Sequence, residues 1–438
     1  MSDQSKAGGA PRVVSPQRDQ QEWRQYDLEG LISEDHVARV LWSAVETLDL
    51  SEFYTGIAAR ESMPGRPTLD PKLMLALWLL ANREGVGSAR QLAELCTQHN
   101  AYIWMCGGVR PNYHSLSDFR SAHGDKLDRL MVQVLASLMK QGLVKLERVA
   151  QDGMRTRASA GASSFRRGSK LAQLVVEAEQ QVATLRTEVD EDPSASRDRR
   201  KSAQLRAAED RQKRLQNALK ELPRVAEVHA RNQDNRARRA EKDGRKLKAS
   251  EPRVSATDPN ARVMKMPDGG YRPAYNVQLA TDVEARVIVG FDVTNEGTDS
   301  AQLVPMLQQL QRNFGRLPAE YLIDGGFGTL RSIDAAEKLG LRVYAPVPKP
   351  RKEGADPYAR KYADTARTAQ WRRRMADAQA KEIYKQRAAT AETVNADLRS
   401  RTLTQFTVRG PAKVRAAVIL AALTYNLLRA EQLRKNLS

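Results

Sequence analysis

The chain has 438 residues, with 71 Lys and Arg against 53 Asp and Glu, and carries a net charge of +18. This length allows two or three domains, and the positive charge favours a polyphosphate partner such as nucleic acid over a merely solvated basic surface. The only two cysteines, Cys96 and Cys106, exclude a disulfide framework and indicate a reducing cytoplasm. The amino terminus lacks a secretory h-region, and the apolar stretches 73–81 and 416–425 are too short to span a bilayer, so we expect a soluble protein.

The first third of the chain has a helical pattern. Residues 1–22 are polar, with Gly, Pro and Ser, and are predicted to form a disordered arm. From residue 23 to 145 apolar residues recur at three- and four-residue spacing, with Asp70 and Ser88 as candidate N-caps. Short helices, a polar–aromatic loop and a longer helix could form a helix-turn-helix variant, which would make 23–145 a DNA-binding domain. An ordinary helical bundle is the alternative.

From about residue 146 the pattern changes. The strand-like runs LERVAQDG, YNVQLATD, RVIVGFDVTN, EYLIDGGFG and LRVYAPVPKP are interleaved with helical runs. Their order predicts an α/β domain with a mixed sheet over residues 146–435. A charged segment at 168–250 interrupts it. Two narrow apolar stripes in that segment predict an antiparallel helical hairpin, with a partly disordered solvated helix as the alternative.

Two aspartates have a context that suggests chemistry. Asp152 and Asp324 each follow an apolar strand-like run and precede a glycine, in VAQDG and LIDGG. We expect such carboxylates to end their strands at the edge of the sheet, where glycine lets a metal or phosphate approach the backbone. Carboxylates bind Mg2+, and a pair of such ions stabilises the attacking and leaving oxygens of phosphoryl transfer. The plainer interpretation of each aspartate alone is turn chemistry.

The run YKQRAATAETVNADLR supplies a third acid. Four of its residues fall within an arc of roughly 140° on an uninterrupted α-helix: Tyr384, Arg387, Glu392 and Arg399. A carboxylate flanked by guanidinium groups suits a phosphodiester site, whereas a solvated face with ion pairs is the alternative for this helix alone. Glu382 is the nearest rival acid, but it lies before Tyr384.

These motifs resemble, in order and combination, those of bacterial insertion-sequence transposases of the DDE type, in the branch marked by Tyr-x2-Arg…Glu-x6-Lys. VAQDG and LIDGGFGT resemble the two Asp blocks, and DPNARVMKMPDGGYRPAYNVQLATD and FDVTNEGTDSAQLVPML resemble the stretches around the β-hairpin. The third block has one extra residue between Arg387 and Glu392, and Arg399 where lysine is usual. The resemblance covers residues from about 30 to 430.

The resemblance implies an RNase H-like catalytic core with Asp152 on the first strand, Asp324 on the fourth and Glu392 on a later helix. It implies two Mg2+ or Mn2+ ions, with Asp152 bridging both and the other two acids completing one each. Three residues would bind the scissile or neighbouring phosphates: Tyr384, Arg387 and Arg399. The implied activity is cleavage at the element ends, after which the freed 3′-hydroxyl attacks target DNA. The implied setting is a homo-oligomer on double-stranded DNA, associated with the nucleoid.

Other interpretations of the sequence are open. The chain could be an inactive transposase-derived DNA-binding regulator, although the three acids are intact, or an RNase H-like repair nuclease, which the Tyr–Arg–Glu–Arg helix fits less well. Asp299 could support a metal-binding acid or cap a helix. Four residues have a spacing that mimics a zinc site but lacks a tight cysteine knuckle: Cys96, His99, Cys106 and His114. Four basic clusters could contact the DNA backbone: 155–167, 197–201, 236–248 and 372–374.

Overall fold

A computed structural model of the chain describes residues 27–57, 59, 67–191, 199–245, 250–350 and 352–436. The arm predicted at 1–22 lies outside these residues. The described chain is helical up to residue 140, and the remainder combines a sheet with helices. The two parts share one continuous hydrophobic core.

Seven α-helices precede the sheet in the described part of the chain: α1 (Val37–Glu46), α2 (Ser51–Thr55), α3 (Pro71–Arg83), α4 (Ala89–Gln98), α5 (Asn100–Cys106), α6 (Tyr113–Ala122) and α7 (Gly124–Lys140). The predicted caps explain where two of them begin. Asp70 accepts a hydrogen bond from the backbone N–H of Lys72 at the start of α3, and Ser88 accepts one from Gln91 at the start of α4. Eleven of the 13 residues of α3 are buried, so this helix lies at the centre of the helical region.

The sheet strands are β1 (Arg148–Arg157), β4 (Arg262–Lys265), β5 (Tyr271–Asp282), β6 (Ile288–Thr294), β7 (Glu320–Leu322) and β8 (Arg342–Tyr344). The order across the sheet is β6, β5, β1, β7, β8. β4 and β6 share one edge of β5, where β4 pairs with residues 271–274 and β6 with residues 276–281. β5 and β6 are antiparallel to their neighbours, whereas β7 and β8 run parallel to β1. Three antiparallel strands followed by two parallel ones, with helices packed against them, form an RNase H-like α/β fold.

One helix connects β6 to β7 and the others follow β7 or β8: α10 (Leu303–Phe314), α11 (Leu330–Lys338), α12 (Ala366–Ala376), α13 (Ala378–Arg387), α14 (Thr393–Arg401) and α15 (Pro411–Lys435). α15 is long and apolar enough to cross a membrane by length and composition alone. It is instead a core helix, because 61% of its apolar window is buried and it packs against α3, α7 and β6.

The insertion between β1 and β4 is a helical hairpin. It consists of α8 (Gly168–Glu191) and α9 (Arg199–Lys242), and the short strands β2 (Phe165–Arg166) and β3 (Val254–Ser255) pair at its base. α8 and α9 pack along a separate small core that includes Leu171, Ala178 and Leu215. The narrow apolar stripes therefore do hold two polar helices together, as predicted.

Candidate active site

Asp152 and Asp324 lie at equivalent positions on two neighbouring parallel strands. The last residues that pair between β1 and β7 are Ala150 and Leu322, and each aspartate comes two residues later. The expectation that Asp152 ends its strand is wrong, because β1 continues to Arg157 by pairing with β5. Only its partner β7 stops, so in the described chain the edge of β1 from Gln151 to Thr156 has no strand partner beside Asp324 before Arg157 bridges to Gln405. The two carboxylates are close enough for the charge of Asp324 to act on Asp152.

Three groups hold the carboxylate of Asp152. Its Oδ1 accepts a hydrogen bond of 2.9 Å from the backbone N–H of Gly153 and lies 3.6 Å from Nη1 of Arg387. Its Oδ2 accepts a hydrogen bond of 3.0 Å from Nδ2 of Asn395. Burial raises the pKa of Asp152 to about 6; Arg387 opposes this rise, and Asp324 adds to it. The carboxylate is thus ionised at neutral pH at an energetic cost.

The carboxylate of Asp324 has one oxygen in the turn and one outside it. Its Oδ1 accepts hydrogen bonds from the backbone N–H groups of Gly326 and Phe327, at 2.8 and 3.2 Å. Its Oδ2 accepts none from the residues that the structure describes. Gly326 fits closely here, because a Cβ on it would lie 3.0 Å from Oδ1 of Asp324 and would displace that oxygen by a few tenths of an ångström. Turn chemistry therefore accounts for one oxygen and leaves the other for a ligand.

Arg387 connects the first acid to the third. Its Nη2 donates to Oε1 of Glu392 at 3.2 Å, while its Nη1 faces Asp152. The Arg387 side chain is 13% exposed and that of Glu392 59%, so the cation is buried between one largely buried and one open carboxylate. Burial alone would lower the pKa of Arg387, but Asp152, Tyr384 and Asp324 together outweigh it and the pKa is raised. The space between the two acids thus favours positive charge.

A π-helical turn accommodates the extra residue of the third motif. It spans Ala388–Glu392, between α13 and α14. Such a turn absorbs one residue without changing the relative orientation of the flanking α-helices. Because the turn absorbs one residue, the positions from Glu392 onward lie about 100° back from where a regular α-helix would place them. The arc around the helix axis that contains all four motif residues then narrows from roughly 140° to roughly 60°. Glu392 therefore shares a helix face with Tyr384 and Arg387 despite the longer spacing.

The two remaining predicted phosphate ligands flank this cluster. Tyr384 is half-buried, and its hydroxyl contacts Arg387. Arg399 is half-buried on α14, and its side chain forms no salt bridge within the described part of the chain. The helix that carries them crosses the sheet over β1 and β5, because its π-turn packs against both strands.

The residues present are suited to a hard divalent cation. Among the described residues, no group of three or more His, Cys, Asp or Glu side chains converges closely enough to hold one. The donor set nevertheless fits, since Asp152 and Asp324 present oxygens at adjacent strand positions and the buried Arg387 stands between two of the three acids. Nη1 of Arg387 and Oδ1 of Asn395 are buried there without a hydrogen-bond partner.

Asp299 does not cap a helix. Its Oδ1 accepts hydrogen bonds of 2.7 Å from both Asn276 and Gln278 on β5, whereas Gln302 occupies the N-cap of α10 without a side-chain bond. A Cβ on Gly153 would lie 2.2 Å from that Oδ1, so glycine after Asp152 is required by Asp299. The charge of Asp299 also contributes to the raised pKa of Asp152. The sequence pattern had indicated glycine for ligand approach, but packing is its role here.

Some residues of the predicted basic clusters and of the zinc-like spacing have structural partners. In the cluster 372–374, Arg372 is buried in an ion pair with Asp364 at 2.8 Å, and Arg374 pairs with Glu337. These two side chains are therefore not free to contact DNA. Nδ1 of His99 accepts a hydrogen bond from the N–H of Ala101 and so caps α5, which accounts for one member of the zinc-like spacing.

Sequence reasoning missed Asn395, the residue on α14 that contacts Asp152. It lies three residues after Glu392 and is buried. A buried asparagine one helical turn after a candidate catalytic acid is the signal that could have identified it.

Two family models match the chain. The one described as "Transposase DDE domain" matches residues 237–427, and the one described as "Transposase domain (DUF772)" matches residues 26–122. The first contains Asp324 and Glu392, whereas Asp152 lies in the stretch between the two matches. Neither a curated protein nor a solved structure matches.

The two matches together define the class of protein. The helical region carries one transposase domain, and the half of the chain with β5 to β8 carries the other. The chain belongs to the DDE transposases of insertion sequences, a family of enzymes that cut and join DNA with the help of divalent metal ions.

Proposed function

We propose that this transposase binds the ends of its element and catalyses metal-dependent DNA cleavage and strand transfer at Asp152, Asp324 and Glu392. The observation that carries this proposal is the alignment of Asp152 with Asp324, two residues past the last pair of two parallel strands. At that point β7 ends while β1 continues, so both carboxylates border an open edge. Arg387 extends the site to Glu392.

Asp152 and Asp324 would hold two Mg2+ or Mn2+ ions, with Glu392 as the third ligand. Such ions supply charge neutralisation at the scissile phosphate and activate the attacking oxygen. Asn395 and the Gly153 N–H orient the carboxylate of Asp152. Cation binding by the acids would release Arg387 for a DNA phosphate, beside Tyr384 and Arg399.

The chemistry consists of two displacements at phosphorus. In the first, a water oxygen bonds to the phosphorus at the element end, the bond to the 3′-oxygen breaks, and that oxygen leaves as a hydroxyl. In the second, this 3′-hydroxyl attacks a target phosphorus and displaces a target 3′-oxygen. Each step exchanges one phosphodiester bond for another bond to phosphorus, so no external energy source is needed.

The other parts of the chain would position DNA. We assign residues 23–145 to binding of the element ends and residues 146–435, interrupted by 168–250, to catalysis. Cleavage at two ends favours a homo-oligomer on double-stranded DNA. The excess of basic residues suits a cytoplasmic, nucleoid-associated protein.

The test uses DNA that carries the inverted repeats flanking the gene. The purified chain should cleave it with Mg2+ and not with EDTA, and Asp152→Asn and Asp324→Asn should each lose cleavage but retain end binding in a gel-shift assay. Asp268→Asn, in an exposed turn ion pair with Arg272, is the matched control and should cleave normally. Normal cleavage by Asp152→Asn would remove the basis of the proposal.

A further inference from the structure

The two helices of the insertion differ in length, and their pairing ends at a defined point. The contacts run from Arg186 with Glu209, at 2.7 Å, to the first residue of α8, Gly168. A Cβ on Gly168 would lie 2.8 Å from Cδ2 of Leu222, so the helices are in close contact there. α9 continues beyond Leu222 to Lys242 without α8 beside it.

Pro223 marks the same point. It lies inside α9, where proline removes one i→i−4 hydrogen bond and favours a bend. Residues 224–242, called the distal arm below, extend over roughly 27 Å at 1.5 Å per residue. Only Val225 of the arm packs on the core of the hairpin. The arm is therefore a long helix with little tertiary support.

The contacts of the arm with the rest of the chain lie on one side. His229 and Gln233 both bond to Ser250 on the returning segment, at 2.9 Å to its Oγ. At 100° per residue these two positions lie roughly 140° and 180° around the helix from Arg224. The opposite side of the arm faces solvent.

That opposite side is basic. Five cations fall within an arc of roughly 100° centred near Arg224, and all five are exposed: Arg224, Arg231, Arg238, Arg239 and Lys242. We call these residues the basic face. An acid stripe runs along one of its edges, with members seven residues apart: Glu227, Asp234 and Glu241.

Ion pairs within the helix do not account for the basic face. Glu227 and Arg231 pair across one turn at 3.7 Å, which is a contact that supports an isolated helix. Arg238, Arg239 and Lys242 form no salt bridge with any residue that the structure describes. A weakly supported helix that holds unpaired cations on its outer side is suited to an external polyanion.

We propose that the basic face of the distal arm binds the sugar–phosphate backbone of duplex DNA outside the catalytic site. The occupant follows from charge complementarity, since a row of guanidinium and ammonium groups fits consecutive phosphates and needs no base contacts. This inference rests on the proposed function only in taking DNA as the substrate. It assigns to the insertion a role in holding DNA, and Pro223 gives the arm a point about which to adjust.

The experiment compares two triple variants with the wild-type chain. Arg231→Gln/Arg238→Gln/Lys242→Gln removes three cations of the basic face, and Glu227→Gln/Asp234→Asn/Glu241→Gln removes the three neighbouring acids. The dissociation constant for a fluorescein-labelled linear duplex without element ends is measured in EDTA over a range of NaCl concentrations. The first variant should bind roughly tenfold more weakly, and its slope of log affinity against log salt should be smaller by about three. The second should bind at least as tightly as wild type.

Several outcomes would overturn the inference. If wild type binds the duplex and the cation variant keeps the wild-type slope, the arm is not a DNA contact, although cleavage at Asp152 could still hold. If the cation variant instead loses self-association in sedimentation, the partner of the arm is a second copy of the chain. Failure of wild type to bind duplex DNA at all would overturn both proposals.

A measurement on the unaltered chain guards against misfolding of the variants. Acetylation of lysines is compared with and without the duplex by mass spectrometry. Lys242 should be protected by DNA, whereas Lys338, exposed at the end of α11, should not be. Equal acetylation of Lys242 in both conditions would contradict the proposal.

Discussion

Nδ2 of Asn395 donates a hydrogen bond of 3.0 Å to Oδ2 of Asp152, and so connects α14 directly to the first catalytic candidate. Asn395 is 5% exposed, and its own Oδ1 has no hydrogen-bond partner. A buried polar atom without a partner costs stability, so a purely structural asparagine would be a poor choice here. The bond fixes the Asp152 carboxylate from the side opposite Gly153.

The first prediction concerns this bond. Asn395→Ala frees the Asp152 carboxylate to rotate, and we expect Mg2+-dependent cleavage of element ends to fall about 10- to 100-fold. The Mg2+ concentration at half-maximal rate should rise, whereas duplex binding should be unchanged. Ser400→Ala, on the exposed side of the same helix, is the control. A variant with the wild-type rate and Mg2+ midpoint would show that Asn395 does not position Asp152.

The second prediction concerns the π-turn. Deletion of the exposed Ala389 should convert Ala388–Glu392 into regular α-helix and leave the residues on either side in the same orientation. Deletion of Ala396 in α14 should instead rotate the following residues by about 100° and expose Leu398. We expect the melting temperature to be nearly unchanged by the first deletion and strongly lowered by the second. Equal losses would mean that the extra residue is not absorbed in the turn.

The third prediction uses the raised pKa of Asp152. Because the folded pKa of about 6 lies above the unfolded value, ionised Asp152 destabilises the fold above pH 6, and this penalty disappears below about pH 4. Asp152→Asn should therefore raise the free energy of unfolding by about 1–2 kcal/mol at neutral pH in EDTA. Urea denaturation should show no gain near pH 4. A variant that is less stable than wild type at neutral pH would contradict this.

The fourth prediction concerns the buried ion pair of Arg372 and Asp364, whose side chains are 4% and 0% exposed. Asp364→Asn leaves a buried guanidinium without its counter-charge and should lower the free energy of unfolding by about 3–5 kcal/mol. Glu382→Gln breaks the exposed pair with Lys385 and should have almost no effect. Chemical denaturation of the two variants provides the comparison, and similar stabilities would mean that Arg372 finds another partner.

Local patterns in the sequence predicted most elements, because capping residues and apolar periodicity act over a few neighbours. Asp70 and Ser88 begin their helices as expected, and the order of strands gave the RNase H-like fold. The end of β1 was misplaced, because its continuation past Asp152 depends on pairing with β5, more than a hundred residues away. A still larger separation, of 243 residues, hides the contact of Asn395 with Asp152.

The helix that contains Tyr384 and Glu392 shows a second limit of prediction from sequence. Its motif was visible in the sequence, but a regular helix had to be assumed to place the side chains. The π-turn buries Thr390 and Ala391 in the core, and no local sequence pattern predicts this packing. The π-turn brings the motif residues closer together around the helix axis than a regular α-helix would.

Binding of Mn2+ tests the central claim most directly. Electron paramagnetic resonance would report Mn2+ bound to the chain in the presence of duplex DNA, where Mn2+ replaces Mg2+. We predict that Asp152→Asn and Asp324→Asn lose most of the bound Mn2+ and that Glu392→Gln binds it more weakly, whereas Asp268→Asn resembles wild type. Wild-type Mn2+ binding by all three site variants would contradict the assignment of these acids.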